Sequence, residues 1–152
     1  MMDDLRELYQ QVILDHNRDP KNYGEIACTH SAEGYNPLCG DKIKIYVKLD
    51  GDRVDDVHFE AAGCAISKAS ASMMTEALKG KTLAEAKEIF QKFINMITGN
   101  INQDLDEAAD ELGNLVVLAG VREFPSRVKC AALAWHAFNS ALENKDEPIT
   151  TE

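Results

Sequence analysis

The sequence lacks the features that mark secreted and membrane-spanning proteins. Its first residues, Met1-Met2-Asp3-Asp4, are acidic and lead straight into an amphipathic pattern, without the basic segment and apolar core of a secretory signal. No uninterrupted apolar run approaches the roughly 18 residues that are needed to span a bilayer. The sequence therefore predicts a cytoplasmic protein with no membrane partner, and its 152 residues fit one domain, 1–152.

Positive charge is scarce as well. Sixteen Lys and Arg stand against 26 Asp and Glu, which gives a formal net charge of −10. Because clustered cations are what neutralise phosphates, this composition argues against nucleic acid as a partner. The charge would steer the chain toward a basic protein partner, although solubility is the simpler explanation of an acidic surface.

Cysteine is sparse and widely spaced. The four cysteines are Cys28, Cys39, Cys64 and Cys130, and no CxxC pair occurs, so neither a zinc ribbon nor a thioredoxin-like redox pair is supported. A reducing cytoplasm also disfavours structural disulfides. Any site that these thiols share must therefore be assembled by the fold.

Strand patterns lie in the first half of the chain. Apolar residues alternate with polar ones over 42–49, Asp-Gly within 50–52 is typical of a hairpin turn, and 54–59 fits a returning strand. Because two strands alone are marginal, we expect a third within 30–36.

Helical patterns dominate the rest. They predict an N-terminal helix that ends before Pro20 and a second helix from about 65 that ends at Gly80. A third helix follows a capping box at Thr82. A fourth is predicted over about 105–118, closed by Gly120, and a fifth is opened by Pro125. The polar tail, 144–152, is predicted to be frayed. Strands early and helices late indicate an α+β fold, a small antiparallel β-sheet of about three strands packed against several α-helices.

Three of the cysteines fall at the ends of these elements. In an extended segment Cys39 and Asp41 would share one face, with Gly40 permitting their close approach. Cys64 stands at the start of a helix, and Cys130 lies in or just after the first turn of the last one. Helix N-termini lower the pKa of thiols, which favours the thiolate. Three thiols and a carboxylate meeting at one end of the sheet would suit tetrahedral zinc or an iron–sulfur cluster.

Simpler interpretations compete with this one. A free cysteine, taken alone, is more often a small buried hydrophobe, and Cys28 fits that interpretation best. His136 lies mid-helix and is expected to be a surface or core histidine. His16, His30 and His58 have no metal-like spacing with one another.

Four segments together resemble the IscU/NifU N-terminal family over nearly the whole chain. They read LYQQVILDH at 8–16, NPLCGD at 36–41, GCAISKASAS at 63–72 and RVKCAAL at 127–133. Within the family the chain is most similar to the SufU-type branch of many Gram-positive bacteria. A two-helix insertion at about 80–120 is typical of that branch, as is Lys129 where IscU-type scaffolds carry a histidine.

The resemblance implies a role in iron–sulfur cluster assembly. It implies one zinc ion held by Cys39, Asp41, Cys64 and Cys130, and a SufS-type cysteine desulfurase as the partner that supplies persulfide sulfur. A desulfurase histidine would take over one zinc position on docking and free Cys39 as the sulfur acceptor. The sulfur would then pass to a downstream iron–sulfur scaffold or apo-acceptor protein. Arg127 would stabilise the thiolate or pair with Asp41, unless it is only a solvated cation.

Two alternatives remain open. In the first, the chain is an IscU-type scaffold that binds iron or builds a [2Fe–2S] cluster on Cys39, Cys64 and Cys130. In the second, the zinc is purely structural. Under the favoured interpretation the chain is a sulfurtransferase partner of the desulfurase rather than a stand-alone enzyme.

Overall fold

A computed structural model describes the backbone of residues 2–99, 110–143 and 149–150, and the side chains of residues 7–99 and 110–143. The elements in chain order are helix α1 (Met2–Arg18), strands β1 (His30–Asn36), β2 (Asp41–Asp50) and β3 (Arg53–Ala62), helices α2 (Ala65–Leu78) and α3 (Leu83–Thr98), a 3-10 helix (Gly113–Glu123), helix α4 (Pro125–Leu142) and strand β4 (Ile149–Thr150).

The sheet confirms the predicted α+β architecture. Strands β1, β2 and β3 form an antiparallel meander, and the two residues of β4 add to the outer side of β1 in parallel, so the order is β3-β2-β1-β4. The third strand lies at His30–Asn36, where it was expected. Gly51 takes a φ of +63° in the turn between β2 and β3, as the Asp-Gly signal indicates.

One face of the sheet carries the core. Ile43, Ile45 and Val47 alternate along β2 and are at most 1% exposed. Helices α2 and α4 cover this face, since both contact the sheet and each other. Farther out, the ring of Trp135 on α4 stacks on Phe93 of α3 with 4.2 Å between centroids, which fastens α3 to the same core.

The ends of most helices were predicted from local signals. Helix α1 ends at Arg18, two residues before Pro20, and α2 ends at Leu78, before Gly80. The capping box of α3 forms as expected, with Thr82 accepting from the Glu85 amide and Glu85 accepting from the Thr82 amide. Pro125 occupies the first turn of α4.

The helix predicted over 105–118 is the main difference. Within that range the described residues begin at 110, and of them only Asp110–Leu112 are α-helical. A 3-10 helix follows over Gly113–Glu123 and so continues past Gly120. Gly113 explains the change, because its φ of +58° is a left-handed conformation that ends an α-helix. Gly120 does not close the element. It lies against α1 instead, where an added Cβ would be 2.8 Å from Cδ1 of Tyr9.

Several expectations stay predictions. The start of that helix at 105–109 and most of the tail, 144–148 and 151–152, lie outside the described residues. Helix α3 and the 3-10 helix occupy the region of the proposed insertion, and the single domain 1–152 is likewise still a prediction. Over the part of the chain that the structure describes, no helix combines the length and the apolar character required to cross a membrane.

Candidate metal centre

The NPLCGD segment forms the tight connection between β1 and β2. Asn36 and Asp41 are cross-strand partners, and the Cys39 amide donates to the Asn36 carbonyl at 3.3 Å. The segment between them is a turn, so the prediction of an extended stretch was wrong; closure of the turn is what brings Cys39 and Asp41 together. Gly40 has a φ of +70° and open space where a Cβ would stand, so it serves the turn and not a close approach.

The close approach occurs at Gly63. This residue has a φ of +124°, and an added Cβ would lie 2.7 Å from Cα of Asp41. The carboxylate of Asp41, which is 2% exposed, accepts a hydrogen bond of 2.7 Å from the Cys64 amide through Oδ1. Glycine at 63 therefore lets the start of α2 lie directly on the first residue of β2.

Cys64 is the N-cap of α2. Its Sγ accepts from the Ser67 amide at 3.5 Å, in the way that a serine or aspartate oxygen caps other helices. The same Sγ lies 3.6 Å from Oδ2 of Asp41. The cap thus turns the thiol toward the carboxylate.

Cys130 supplies the last sulfur from the second turn of α4. It is fully buried, and its Sγ lies 3.2 Å from Sγ of Cys39. Cys39, Asp41 and Cys130 each place a ligand atom within 4.8 Å of the others, and within residues 7–99 and 110–143 they form the only group of this kind. Cys64 is not a member of this group, but its Sγ contacts the group through the carboxylate of Asp41. We call the four residues the cysteine cluster.

Burial shifts the pKa values of two thiols in the cluster. It is the largest cause of the raised pKa values of Cys64 and Cys130. The hydrogen bonds that Cys130 makes with Cys39 and Asp41 raise the pKa of Cys130 further. The expectation that helix N-termini lower these pKa values was therefore wrong. In Cys64 the Ser67 amide does act in the expected direction, but desolvation outweighs it.

Arg127, the proposed thiolate stabiliser, lies close to the cluster. Desolvation tends to lower its pKa, but interactions with Cys64, Cys130 and Cys39 outweigh this and raise the pKa. The guanidinium thus interacts electrostatically with all three sulfurs.

Three polar residues around the cluster were not predicted. Asn36 is fully buried and donates from Nδ2 to Asp41 and to Cys130. Three buried polar atoms have no hydrogen-bond partner in the described part of the chain: Asn36 Oδ1, Ser67 Oγ and the Tyr9 hydroxyl.

Burial raises the pKa of Tyr9 to about 12. Arg127 opposes the shift, and Cys64 and Cys130 add to it. Asn36 is the first residue of the NPLCGD motif, so its place in that motif could have identified it as a candidate from the sequence.

The remaining candidates lie elsewhere. Cys28 is exposed, so its interpretation as a buried hydrophobe was wrong. His136 is a half-buried histidine whose ring meets Phe90 edge-on, as expected of a packed side chain. His16 hydrogen-bonds to Ser72 between α1 and α2.

The donor set fits a tetrahedral metal. Zinc–thiolate bonds of about 2.3 Å place ligand sulfurs roughly 3.8 Å apart in a tetrahedron. The separation of 3.2 Å between Cys39 and Cys130 and that of 3.6 Å between Cys64 and Asp41 approach this spacing. Three thiols and a carboxylate are also ligands that zinc accepts.

Comparisons with known proteins point to one family. The family model described as NifU-like N terminal domain matches residues 8–144. The zinc-dependent sulfurtransferase SufU of Bacillus subtilis (strain 168) is 43% identical over 142 residues, which covers 93% of this chain and 94% of that protein. The iron–sulfur cluster assembly scaffold protein IscU of Streptococcus pyogenes serotype M1 is 41% identical over 139 residues, covering 91% and 85%. The crystal structure described as a candidate iron–sulfur cluster assembly scaffold protein for the SUF system, from Fervidobacterium islandicum AW-1, superposes with a TM-score of 0.77 at 37% identity, covering 86% of this chain and 93% of that one.

Proposed function

Because the chain belongs to the NifU-like N-terminal domain family, we propose that it is an iron–sulfur cluster assembly protein acting as a zinc-dependent sulfurtransferase. It accepts persulfide sulfur from a SufS-type cysteine desulfurase and relays it to a downstream scaffold or apo-acceptor protein. The similarity to the zinc-dependent sulfurtransferase SufU of Bacillus subtilis supports the sulfurtransferase activity.

The observation that carries this proposal is the different engagement of the three thiols in the fold. Cys130 is fully buried, and Cys64, although partly exposed, is engaged as the cap of α2. Cys39 is partly exposed in the turn, next to Leu38, which is 69% exposed. A docked partner can therefore reach Cys39 without disturbing the core.

The proposed zinc ligands are Cys39, Asp41, Cys64 and Cys130. Bound zinc keeps thiolates deprotonated at neutral pH and masks them from reaction. Without a metal the protein favours the protonated thiols instead, since burial raises the pKa values of Cys64 and Cys130. Metal and fold together would hold a latent nucleophile that is released only when a partner displaces it from the site.

The transfer itself is a thiol exchange. The Cys39 thiolate attacks the terminal sulfur of the desulfurase persulfide, the sulfur–sulfur bond of that persulfide breaks, and the desulfurase cysteine leaves as a thiolate. Cys39 then carries the persulfide. Arg127, which interacts with all three cysteines, is placed to stabilise its negative charge. A thiolate of the acceptor repeats the exchange in the next step.

The competing function is a scaffold that builds an iron–sulfur cluster on the same cysteines, as the name of the Streptococcus pyogenes relative suggests for that protein. The feature that favours sulfur relay is Lys129, directly before Cys130. A lysine ammonium is protonated at neutral pH and is not a ligand for iron, whereas a histidine in its place would be.

The test is anaerobic purification with metal analysis, followed by desulfurase assays. We expect near-stoichiometric zinc and stimulation of desulfurase turnover that Cys39→Ala abolishes. Cys28→Ala is the matched control, because Cys28 is an exposed thiol outside the cluster; it should leave stimulation unchanged. A coloured cluster that transfers to an apo-acceptor, without stimulation of the desulfurase, would show that the chain is a scaffold.

A structural zinc module makes a different prediction for the same variant. Structural zinc contributes directly to folding. If Cys39→Ala unfolds the domain instead of only silencing it, the zinc is structural and the relay proposal is wrong. Circular dichroism and urea unfolding of the variant decide between these outcomes.

A further inference from the structure

We propose that Asn36 is a positioning residue of the metal centre, whose buried amide holds Asp41 and Cys130 in place as ligands and leaves Cys39 as the ligand that exchanges. This inference rests on the proposed function, in that it assumes zinc on the cysteine cluster. Asn36 would touch no substrate; it would act through two of the ligands.

The geometry of the amide carries the argument. Nδ2 of Asn36 lies 3.2 Å from Oδ2 of Asp41 and 3.3 Å from Sγ of Cys130. A carboxylate and a thiolate can only accept, so the side chain presents its nitrogen to them, and its two N–H groups match its two partners. Because Asn36 is fully buried, water cannot replace either bond.

The backbone of Asn36 fixes the same region. As the last residue of β1 it stands directly across the ladder from Asp41, and its carbonyl accepts from the Cys39 amide. Through its side chain it also reaches Cys130, which lies 94 residues further along the chain. One residue thus joins the turn, the start of β2 and helix α4.

The three thiols differ in their N–H donors. Cys130 accepts from Asn36, and Cys64 accepts from the Ser67 amide. In the described part of the chain the side-chain hydrogen bond of Cys39 is to the Cys130 sulfur, at 3.2 Å. An N–H donor restrains a thiolate and disperses its charge. Cys39, which lacks one, is therefore the thiolate most easily displaced from the metal.

Two variants test the role of the amide. Asn36→Leu keeps about the same side-chain volume and removes both N–H donors. If this variant does not fold, Asn36→Ala is measured in its place. Thr75→Val is the matched control. Thr75 is also fully buried and hydrogen-bonded, to Ser72 and Asn22, but it belongs to the far end of α2.

The measurements use zinc and cobalt(II) as probes. We expect zinc affinity, measured by competition with a chromophoric chelator, to fall about 10- to 100-fold in the Asn36 variants, as for other residues that orient metal ligands. The thiolate-to-cobalt charge-transfer band should move to lower energy, because Cys130 loses its N–H donor. Thr75→Val should lower stability and leave both the affinity and the band unchanged.

The outcomes separate this inference from the proposed function. If the wild-type protein binds neither zinc nor cobalt, the proposed function is wrong. If the wild type binds both and the Asn36 variants match it in affinity and spectrum, only the role of Asn36 is wrong. Weaker affinity with an unchanged band would reduce Asn36 to a purely structural residue and would also overturn the inference.

Discussion

At the scale of single residues, Gly63 is the most constrained glycine at the cysteine cluster. Its positive φ would cost any other residue about 1–3 kcal/mol. In addition a Cβ would press on Asp41, both at Cα and at the carboxylate. We expect Gly63→Ala to destabilise the protein and to displace Asp41 from the cluster.

The measurement is urea unfolding of Gly63→Ala beside Gly24→Ala. Gly24 has a similar φ of +116° but open space around an added Cβ, so it isolates the backbone cost. Gly63→Ala should lose clearly more unfolding free energy than Gly24→Ala and should also bind zinc more weakly. Equal losses would mean that the contact with Asp41 has no energetic weight.

The residues of the cluster were predictable in part. Cys39, Asp41, Cys64 and Cys130 stood out because the chain has only four cysteines, three of them at the ends of predicted elements, and because the family resemblance implies these four residues as ligands. Asn36 and Tyr9 did not, because an amide and a phenol are common residues whose relevance appears only when distant segments meet. The bond from Asn36 to Cys130 is such a contact, and no local pattern encodes it.

At the scale of elements, the capping box of α3 is a local device whose strength can be measured. Thr82 and Glu85 satisfy two amides that the helix would otherwise leave free. We expect Thr82→Ala to lower the unfolding free energy by about 1 kcal/mol. Thr98→Ala, at the exposed opposite end of the helix, should change it by less than about 0.5 kcal/mol. Similar losses in both variants would contradict a specific role for the cap.

The contact between α1 and α2 should depend on pH. Nδ1 of His16 is hydrogen-bonded to Oγ of Ser72 at 2.6 Å, and the same oxygen accepts from the Lys21 amide. Burial lowers the pKa of His16 below its usual 6.5; Glu76 and Asp15 oppose the shift and Lys21 adds to it. The unfolded chain therefore binds this proton more readily than the folded one.

We accordingly expect stability to be complete above about pH 6.5 and to fall as the pH drops below it. Burial lowers the pKa of His136 too, so it acts in the same direction. Urea midpoints at about pH 7.5 and about pH 5.5 test this, with the neutral variants His16→Gln and His136→Gln reducing the difference. His30→Gln, whose ring bonds to Thr29 at the surface, is the control. A pH dependence that survives both substitutions would contradict this assignment.

Elements with strong local signals were predicted best. The strand 42–49 and the helices bounded by Pro20, Gly80 and Pro125 carry alternation, caps and breakers that act within a few residues. The 3-10 helix was missed because Gly113 was not recognised as the point where the α-helix ends. Gly120, interpreted as a stop, is fixed by a ring from α1.

At the scale of the whole molecule, the cysteine cluster joins three separate parts of the fold. Its four side chains come from the β1–β2 turn with the first residue of β2, the cap of α2 and the second turn of α4. A ligand that binds only the folded state stabilises it by mass action, by about 4 kcal/mol at 1,000 times its Kd. We expect saturating zinc to raise the unfolding temperature of the metal-free protein and magnesium to leave it unchanged.

Asp41→Ala tests whether that stabilisation passes through the cluster. The variant should lose most of the zinc-dependent rise, because it removes a ligand and leaves the Cys64 amide without its acceptor. Calorimetric scans with and without zinc measure both effects. A rise of equal size in wild type and variant would place the zinc elsewhere on the chain.

The spread of the cluster along the chain also has a consequence for biosynthesis. Cys39, Asp41 and Cys64 leave the ribosome well before Cys130, which lies 66 residues after Cys64 in the chain. Because a nascent chain folds from its N-terminal end, the hairpin and α2 can form while α4 is still in the exit tunnel. The cluster is complete only after α4 has emerged and packed on the hairpin and α2, so a metal ion that needs all four side chains cannot be bound before that helix is made.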